Sequence, residues 1–226
     1  QFGINIKYKI QSKPEGIAQA FLIAEDFIEN SNVTLILGDN LFHGDFLVNK
    51  LKKSYLINEG ASIFAYSVSD PERYGVVEFD AKGIAYNIEE KPKNPKSKFA
   101  ITGLYFYDNT VVEKAKKIEP SSRGELEITD LNKMYMKEGK LIVEKMNRGM
   151  TWLDTGTTDS LHEASSYIRS LEKRQGLKIG CPEEVAWRVG FIDDEQLYSL
   201  SIDLPKSGYG KYLQTILNES RDYLGI

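Results

Sequence analysis

Asp39 and Asp154 each stand where an apolar stretch gives way to turn residues. Val33-Thr34-Leu35-Ile36-Leu37-Gly38 runs up to Asp39, and Asn40 follows it; Trp152-Leu153 precedes Asp154, and Thr155-Gly156 follows. A short continuous apolar run bounded by turn residues suits a strand buried on both faces, as in a parallel sheet. Ligands of open α/β sheets sit outside the carboxyl ends of the strands, where a carboxylate holds a metal–phosphate complex or a ribose hydroxyl. The alternative is that Asp39 caps a following helix. Two carboxylates converging on one point suit Mg²⁺, which is held by one or two carboxylates, waters and substrate phosphates. The same spacing also allows a general acid with a general base, or two unrelated caps. Lys91 and Arg123 lie in polar loops. Either serves an anionic group, Arg123 by a bidentate fork and Lys91 as a point charge; taken singly, each is also an ordinary solvated side chain.

The elements that must position these groups follow from periodicity. Ile4, Ile6, Tyr8 and Ile10 alternate with Asn5, Lys7 and Lys9, which predicts a half-buried peripheral strand. Residues 11–16 form a turn in which Gly16 can take φ > 0 or admit a ligand to the backbone. Ile17, Ala20, Phe21, Ala24, Phe27 and Ile28 fall at the spacing of one amphipathic helix, so that a β-loop-α-β unit leads to Asp39. A second helix is expected through Phe46, Leu47, Leu51 and Tyr55, and a buried strand over 63–68. Residues 76–79 and 84–89 read as a hairpin. The long strand expected over 100–107 contains Gly103, and an interior strand glycine marks close backbone approach. A short helix over 109–118, a helix through Tyr135 ended by Gly139, and a strand over 141–145 complete this part. Beyond it only helical segments appear, over 160–175, 182–189, 193–199 and 211–224. The expected division is therefore an α/β core over 1–157 and a helical region over 158–226.

With 226 residues, 41% hydrophobic and 27% charged, the chain has the composition of a globular protein with one sizeable core and an appendage. A net charge of −4 argues against a nucleic-acid-binding surface, which needs a basic excess. A lone cysteine, Cys181, leaves no internal disulfide framework and fits a reducing cytosol. No apolar run approaches the ~20 residues of a membrane span and no signal peptide is visible, so a cytoplasmic location with no membrane partner is expected. His43 and His162 are too few and too scattered for a zinc site. The sequence opens at Gln1 and leads almost at once into an expected strand, as if it began within a domain.

Several ordered blocks carry a resemblance. Residues 11–20 (Gln11-Ser12-Lys13-Pro14-Glu15-Gly16 onward), Leu37-Gly38-Asp39-Asn40-Leu41-Phe42, residues 70–80 (Asp70-Pro71-Glu72-Arg73-Tyr74-Gly75 onward) and Glu89-Glu90-Lys91-Pro92 are similar to the sugar-nucleotidyltransferases. Residues 101–108, 123–130, 152–157 and 172–184 narrow the resemblance to the glucose-1-phosphate thymidylyltransferases, over nearly the whole chain. The resemblance implies a Rossmann-like nucleotidyltransferase core with a mixed, mostly parallel sheet, plus a C-terminal helical region. It implies a reaction in which dTTP and α-D-glucose 1-phosphate give dTDP-glucose and pyrophosphate, in the supply of deoxysugars such as rhamnose. On the same ground Asp39 and Asp154 hold Mg²⁺, and Lys91 and Arg123 hold the sugar phosphate. Tyr74, Gly75, Glu90, Ile101 and Trp152 line the glucose pocket, and Gln11 and Gly16 read thymine. The C-terminal helices are expected to assemble a homotetramer, and His43 to border a second nucleotide site at a subunit contact. One departure stands out: the family's N-terminal Gly-rich loop with Thr-Arg, its triphosphate cradle, is absent from these residues. Turnover by residues 1–226 alone is therefore not expected. A uridylyltransferase on the same scaffold, or a non-catalytic sugar-nucleotide-binding protein, are the competing expectations.

Overall fold

The computed structural model describes residues 2–204 and 208–218. The chain divides into two compact units, Lys9–Ala164 and a second made of Gln1–Tyr8 with Ser165–Ile226. The division falls within a long helix, α6 (Thr158–Gln175), so the N-terminal stretch groups with the helical part.

The larger unit is a sheet covered on both faces. In chain order it contains α1 (Gln19–Ile23), α2 (Glu25–Ile28), β1 (Val33–Ile36), β2 (Asn40–His43), α3 (Leu47–Tyr55), β3 (Ala61–Ser67), β4 (Gly75–Phe79), β5 (Ala85–Glu90) and β6 (Phe99–Tyr107). Then come α4 (Val111–Ala115), α5 (Ile128–Lys137), β7 (Leu141–Lys145) and β8 (Thr151–Asp154). The main sheet runs β5-β4-β6-β3-β7, with β1 also on β6, while β2 and β8 form a separate antiparallel ribbon. Strand β6 explains the two-sided core, because successive side chains point to opposite faces. Ile101, Tyr105 and Tyr107 pack with Phe21, Val111, Leu131 and Tyr135 under the helices α1, α4 and α5. Ala100, Leu104 and Phe106 pack on the other face with Phe64, Met146, Met150 and Trp152, against Phe42, Leu47 and Leu51.

The α/β core with a mixed sheet agrees with expectation, but the balance of directions does not. Among the described residues only β3 and β7 pair in parallel; β1, β3 and β4 all run antiparallel to β6, as does β5 to β4. Apolar runs report burial and carry no information on strand direction. Nor is β1 covered on both faces. Val33 and Leu35 face the core, whereas Thr34 and Ile36 are exposed. The expected strand over 4–10 is not formed, and Tyr8 and Ile10 stand 87% and 86% exposed; alternation without a partner strand does not make a sheet. The single helix expected over 17–28 breaks at Ala24 (φ −97°, ψ 11°) into α1 and α2.

One edge of β6 is shared. Strand β3 occupies its other edge, β4 pairs at Phe99 and Ala100, and β1 pairs from Leu104 to Tyr107. Between them, around Ile101–Gly103, the sheet splits. That split is where the site opens.

The helical unit contains the C-terminal part of α6, α7 (Pro182–Arg188), α8 (Asp194–Ile202) and α9 (Gly208–Ile216). It closes on Trp187, Leu197, Leu213 and Ile216, all nearly fully buried. Helix α8 starts with a reciprocal cap: Asp193 accepts from the Gln196 N–H and the Gln196 side chain accepts from the Asp193 N–H. Inside, Arg188 Nε donates to Glu184 Oε1 at 2.9 Å and the Tyr212 hydroxyl donates to Glu184 Oε2. The end expected for the last helix, Leu224, lies outside the described residues.

Candidate active site

A cleft of about 560 Å³ opens at the split in the sheet, wholly within Lys9–Ala164. Asp39, Tyr74, Gly75, Glu90, Lys91, Ile101, Arg123, Trp152 and Asp154, expected from sequence, all line it.

The two aspartates are brought together by the β2·β8 ribbon. Asn40 pairs with Asp154, and the Asp39 carbonyl accepts from the Thr155 N–H at 2.9 Å and from its hydroxyl at 2.8 Å. Asp39 Oδ2 and Asp154 Oδ1 both lie within 3.7 Å of the point where a Cβ on Gly156 would stand. A side chain there would crowd the Asp154 carboxylate and touch that of Asp39. Asp154 Oδ1 accepts the Gly156 N–H at 3.1 Å, and Asn40 Nδ2 donates to Asp39 Oδ1 at 2.8 Å. Asp39 therefore reaches the shared point with an oxygen that Asn40 does not hold. Two such carboxylates form an oxygen donor set that fits Mg²⁺, provided that waters or phosphates complete the shell. Among the described residues no three His, Cys, Asp or Glu side chains cluster to enclose a cation by themselves.

Asn40 is the hub that the sequence reading left without a role. Its Oδ1 accepts from the Gly103 N–H at 2.9 Å and from Trp152 Nε1 at 2.6 Å. A Cβ on Gly103 would stand 2.5 Å from that same Oδ1. The close approach signalled by an interior strand glycine is thus that of Asn40, which satisfies a β6 N–H on the open edge. Trp152 is buried, with Tyr74 edge-on at 5.1 Å. Arg73, also missed, donates to Asp70 at 2.9 Å and stands 4.0 Å from Asp154 Oδ2. The Asp70 hydrogen bond raises its already high pKa. Burial raises the pKa of the Tyr74 phenol, so both keep their protons at neutral pH.

The two predicted cations, Lys91 and Arg123, line the same cleft. Lys91 follows β5 with φ 42°, a left-handed conformation that costs a non-glycine residue about 1 kcal/mol or more. The Lys91 N–H bonds the Tyr74 carbonyl at 3.0 Å, holding it there. Glu90 accepts from the Thr129 hydroxyl, and Gly75 leaves room for both; a Cβ there would meet Thr129 Oγ1 at 2.9 Å. Arg123 differs from expectation. Its Nε and Nη2 fork is occupied by Glu127, at 3.1, 2.9 and 2.8 Å, which raises its pKa further. The sequence did mark this, since Arg123-Gly124-Glu125-Leu126-Glu127 puts two carboxylates beside one guanidinium.

Gln11 and Gly16 do not line the cleft. Gln11 Nε2 donates to the Gly16 carbonyl at 3.2 Å and to Gln19 Oε1 at 2.6 Å, so the loop closes on itself. Gly16 has φ 102° and lies against the Leu126 backbone, one residue from Glu125 and Glu127 of the cleft wall.

Comparison with known proteins agrees with this architecture. The model of the nucleotidyl transferase family matches residues 1–170. A glucose-1-phosphate thymidylyltransferase of Mycolicibacterium smegmatis is 55% identical over 217 residues, 96% of this chain and 75% of the relative. One of Neisseria meningitidis is 52% identical over 96% of this chain and 76% of the relative. A solved structure from Bacillus anthracis, assigned as a glucose-1-phosphate thymidylyltransferase and crystallised with sucrose, superposes with a TM-score of 0.67. It is 41% identical, over 80% of this chain and 70% of that one. A UDP-glucose pyrophosphorylase bound to UDP-glucose, 21% identical with a TM-score of 0.63 over 71% of this chain and 64% of that one, shares the fold. The chain belongs to the nucleotidyl transferase family, among its glucose-1-phosphate thymidylyltransferases.

Proposed function

We propose that the protein transfers the thymidylyl group of dTTP to α-D-glucose 1-phosphate. The observation that carries this reading is the meeting of Asp39 and Asp154 at Gly156, in one cleft with Lys91 and Arg123, in a chain so similar to thymidylyltransferases. An oxygen of the sugar phosphate forms a bond to the α-phosphorus of dTTP. The bond from that phosphorus to the oxygen bridging to the β-phosphate breaks, and its electron pair leaves on pyrophosphate. No side chain need act as nucleophile, so the protein's part is positioning and charge. Lys91 and Arg123 seat the sugar phosphate; Glu90, the Gly75 backbone and Tyr74 take the glucose hydroxyls, and Ile101 and Trp152 form the apolar floor. Gln11 and Gly16 read the base, for which Gln11 exchanges its present partners for the imide edge of thymine. Asp39 and Asp154 would hold Mg²⁺, which supplies charge neutralisation on the nucleotide phosphates when bound. We place the activity in the cytoplasm and in a homotetramer assembled through the helical unit; no helix among the described residues is long and apolar enough to cross a membrane.

The test is pyrophosphate release with Mg²⁺, glucose 1-phosphate and either dTTP or UTP, with Asp39→Ala as the blank. Release with dTTP that is lost in Asp39→Ala is the expected result for the enzyme with its family's Gly-rich phosphate loop in place. A preference for UTP would make the protein a uridylyltransferase. Binding of glucose 1-phosphate without turnover would leave a sugar-nucleotide-binding protein.

A further inference from the structure

We infer that Glu127 is an internal occupant of the sugar-phosphate seat, a carboxylate that holds the Arg123 guanidinium and must surrender it when a phosphate monoester binds. The inference rests on the reading of the cleft given above. Glu127 meets Arg123 as a phosphate would, with both carboxylate oxygens on the Nε–Nη2 edge. Ser121 Oγ, donating to Glu127 Oε1 at 2.7 Å, braces it. The Glu127 side chain is only 7% exposed against 36% for Arg123, so the carboxylate sits behind the guanidinium. Glu125 at 3.3 Å and Glu90 at 3.5 Å complete a ring of carboxylates around one cation. Nη1 donates to no described residue and is the point at which an entering phosphate first engages.

The cleft is acidic on balance. Asp39, Glu90, Glu125, Glu127 and Asp154 outnumber Arg73, Lys91 and Arg123, and Arg73 is already paired with Asp70. An anion entering it finds only Nη1 open and has to compete with Glu127 for the Nε–Nη2 edge. This competition lowers affinity for every phosphate that uses the fork, including free inorganic phosphate. Pairing also keeps Arg123 from standing uncompensated in the empty cleft.

The direction of the effect separates this role from others. If Glu127 competes with phosphate, neutralising it tightens anion binding; if it is a strut or a sugar ligand, neutralising it weakens binding or leaves it unchanged. Calorimetric titration of the protein with inorganic phosphate and with glucose 1-phosphate tests this. In Glu127→Gln both dissociation constants should fall about tenfold, the scale of one charged hydrogen-bonded contact. In an Arg123→Lys background the same change should do little. Glu127→Asp, which keeps the charge but withdraws it from the fork, should tighten both anions too, and serves if Glu127→Gln does not fold. Unchanged or weaker binding of both anions in a folded Glu127 variant would overturn the inference. Should wild-type protein bind inorganic phosphate but not glucose 1-phosphate, the substrate reading falls, and the phosphate titrations still decide the role of Glu127.

Discussion

Asp154 can serve a cation only while its carboxylate faces the point it shares with Asp39, and two contacts fix that facing: the Gly156 N–H on Oδ1 and the nearby Arg73 on the side of Oδ2. Asp154→Asn keeps the shape and removes the charge, so turnover should drop by about 10²-fold or more while the melting temperature stays within a degree or two. Steady-state pyrophosphate release beside a thermal melt checks it, and wild-type rates would refute the metal role. Lys91 is a different case, since its strained φ of 42° places a point charge at the mouth of β5. Lys91→Ala should raise KM for glucose 1-phosphate well above its effect on KM for dTTP; the reverse would put Lys91 on the nucleotide side. These residues were legible one by one because aspartate, lysine and arginine beside turn residues suggest chemistry. Asn40 was not, because an amide next to a carboxylate has no visible purpose until the Gly103 N–H and the Trp152 indole are seen converging on it.

Strand β6 and the elements at its ends show how secondary structure carries the site. Gly103→Ala would drive a methyl to 2.5 Å from Asn40 Oδ1 and 2.8 Å from Leu37 Cδ1. Either Asn40 moves, releasing Asp39, or the β6 edge does. The substitution should therefore lower both activity and stability, by about 1–3 kcal/mol for the latter, and a stable but inactive variant would show that Asn40 alone gives way. At the far end of β6, Asp108 ties three segments. It accepts from the Gly60 N–H at 2.6 Å, from the Thr110 N–H at 3.0 Å and hydroxyl at 2.5 Å, and from the Tyr135 hydroxyl at 2.9 Å. Burial pushes its pKa up, but these donors outweigh burial and hold it below the usual aspartate range. A carboxylate depressed in the fold contributes stability above its unfolded pKa and loses it as pH falls through the folded value. Denaturant unfolding should thus show a loss as pH falls below about 3.9 that Asp108→Asn flattens, at a cost of about 1–3 kcal/mol near neutrality. Periodicity revealed most elements, including the hairpin β4–β5 and helix α5, since their patterns are long. Of the ribbon β2·β8, the run leading to Asp154 was readable as a strand, whereas β2 and the pairing were not, because four residues after a Gly-Asp turn become a strand only by meeting a partner far away in sequence.

The whole molecule adds what no single element states. That the chain would hold an α/β part and a helical part was readable, because period-2 runs cease after Asp154. That residues 2–8 would group with the helices was not, because an alternating apolar stretch says nothing of which surface it will meet. Gly3, at φ 71°, lies against the Phe191 carbonyl, and Phe2 and Ile4 join Pro182, Val185, Ala186 and Phe191 around one apolar hollow of about 410 Å³. Close to it Val185, Val189 and Phe191 stay 47%, 46% and 58% exposed. Clustered apolar exposure of this kind marks contact surfaces in soluble proteins, and it is the physical ground for placing assembly in the helical unit. Charging it should then break the assembly without unfolding the unit, whose packing rests on Trp187, Leu197, Leu213 and Ile216 instead. Val189→Asp with Phe191→Asp should shift the protein from a tetramer to a smaller species in light scattering, with helical circular dichroism unchanged. If the wild-type protein is already a monomer at micromolar concentration, the exposed apolar surface serves no self-assembly. If the double variant stays tetrameric, the subunits meet elsewhere, and the apolar surface of the helical unit has no part in holding them.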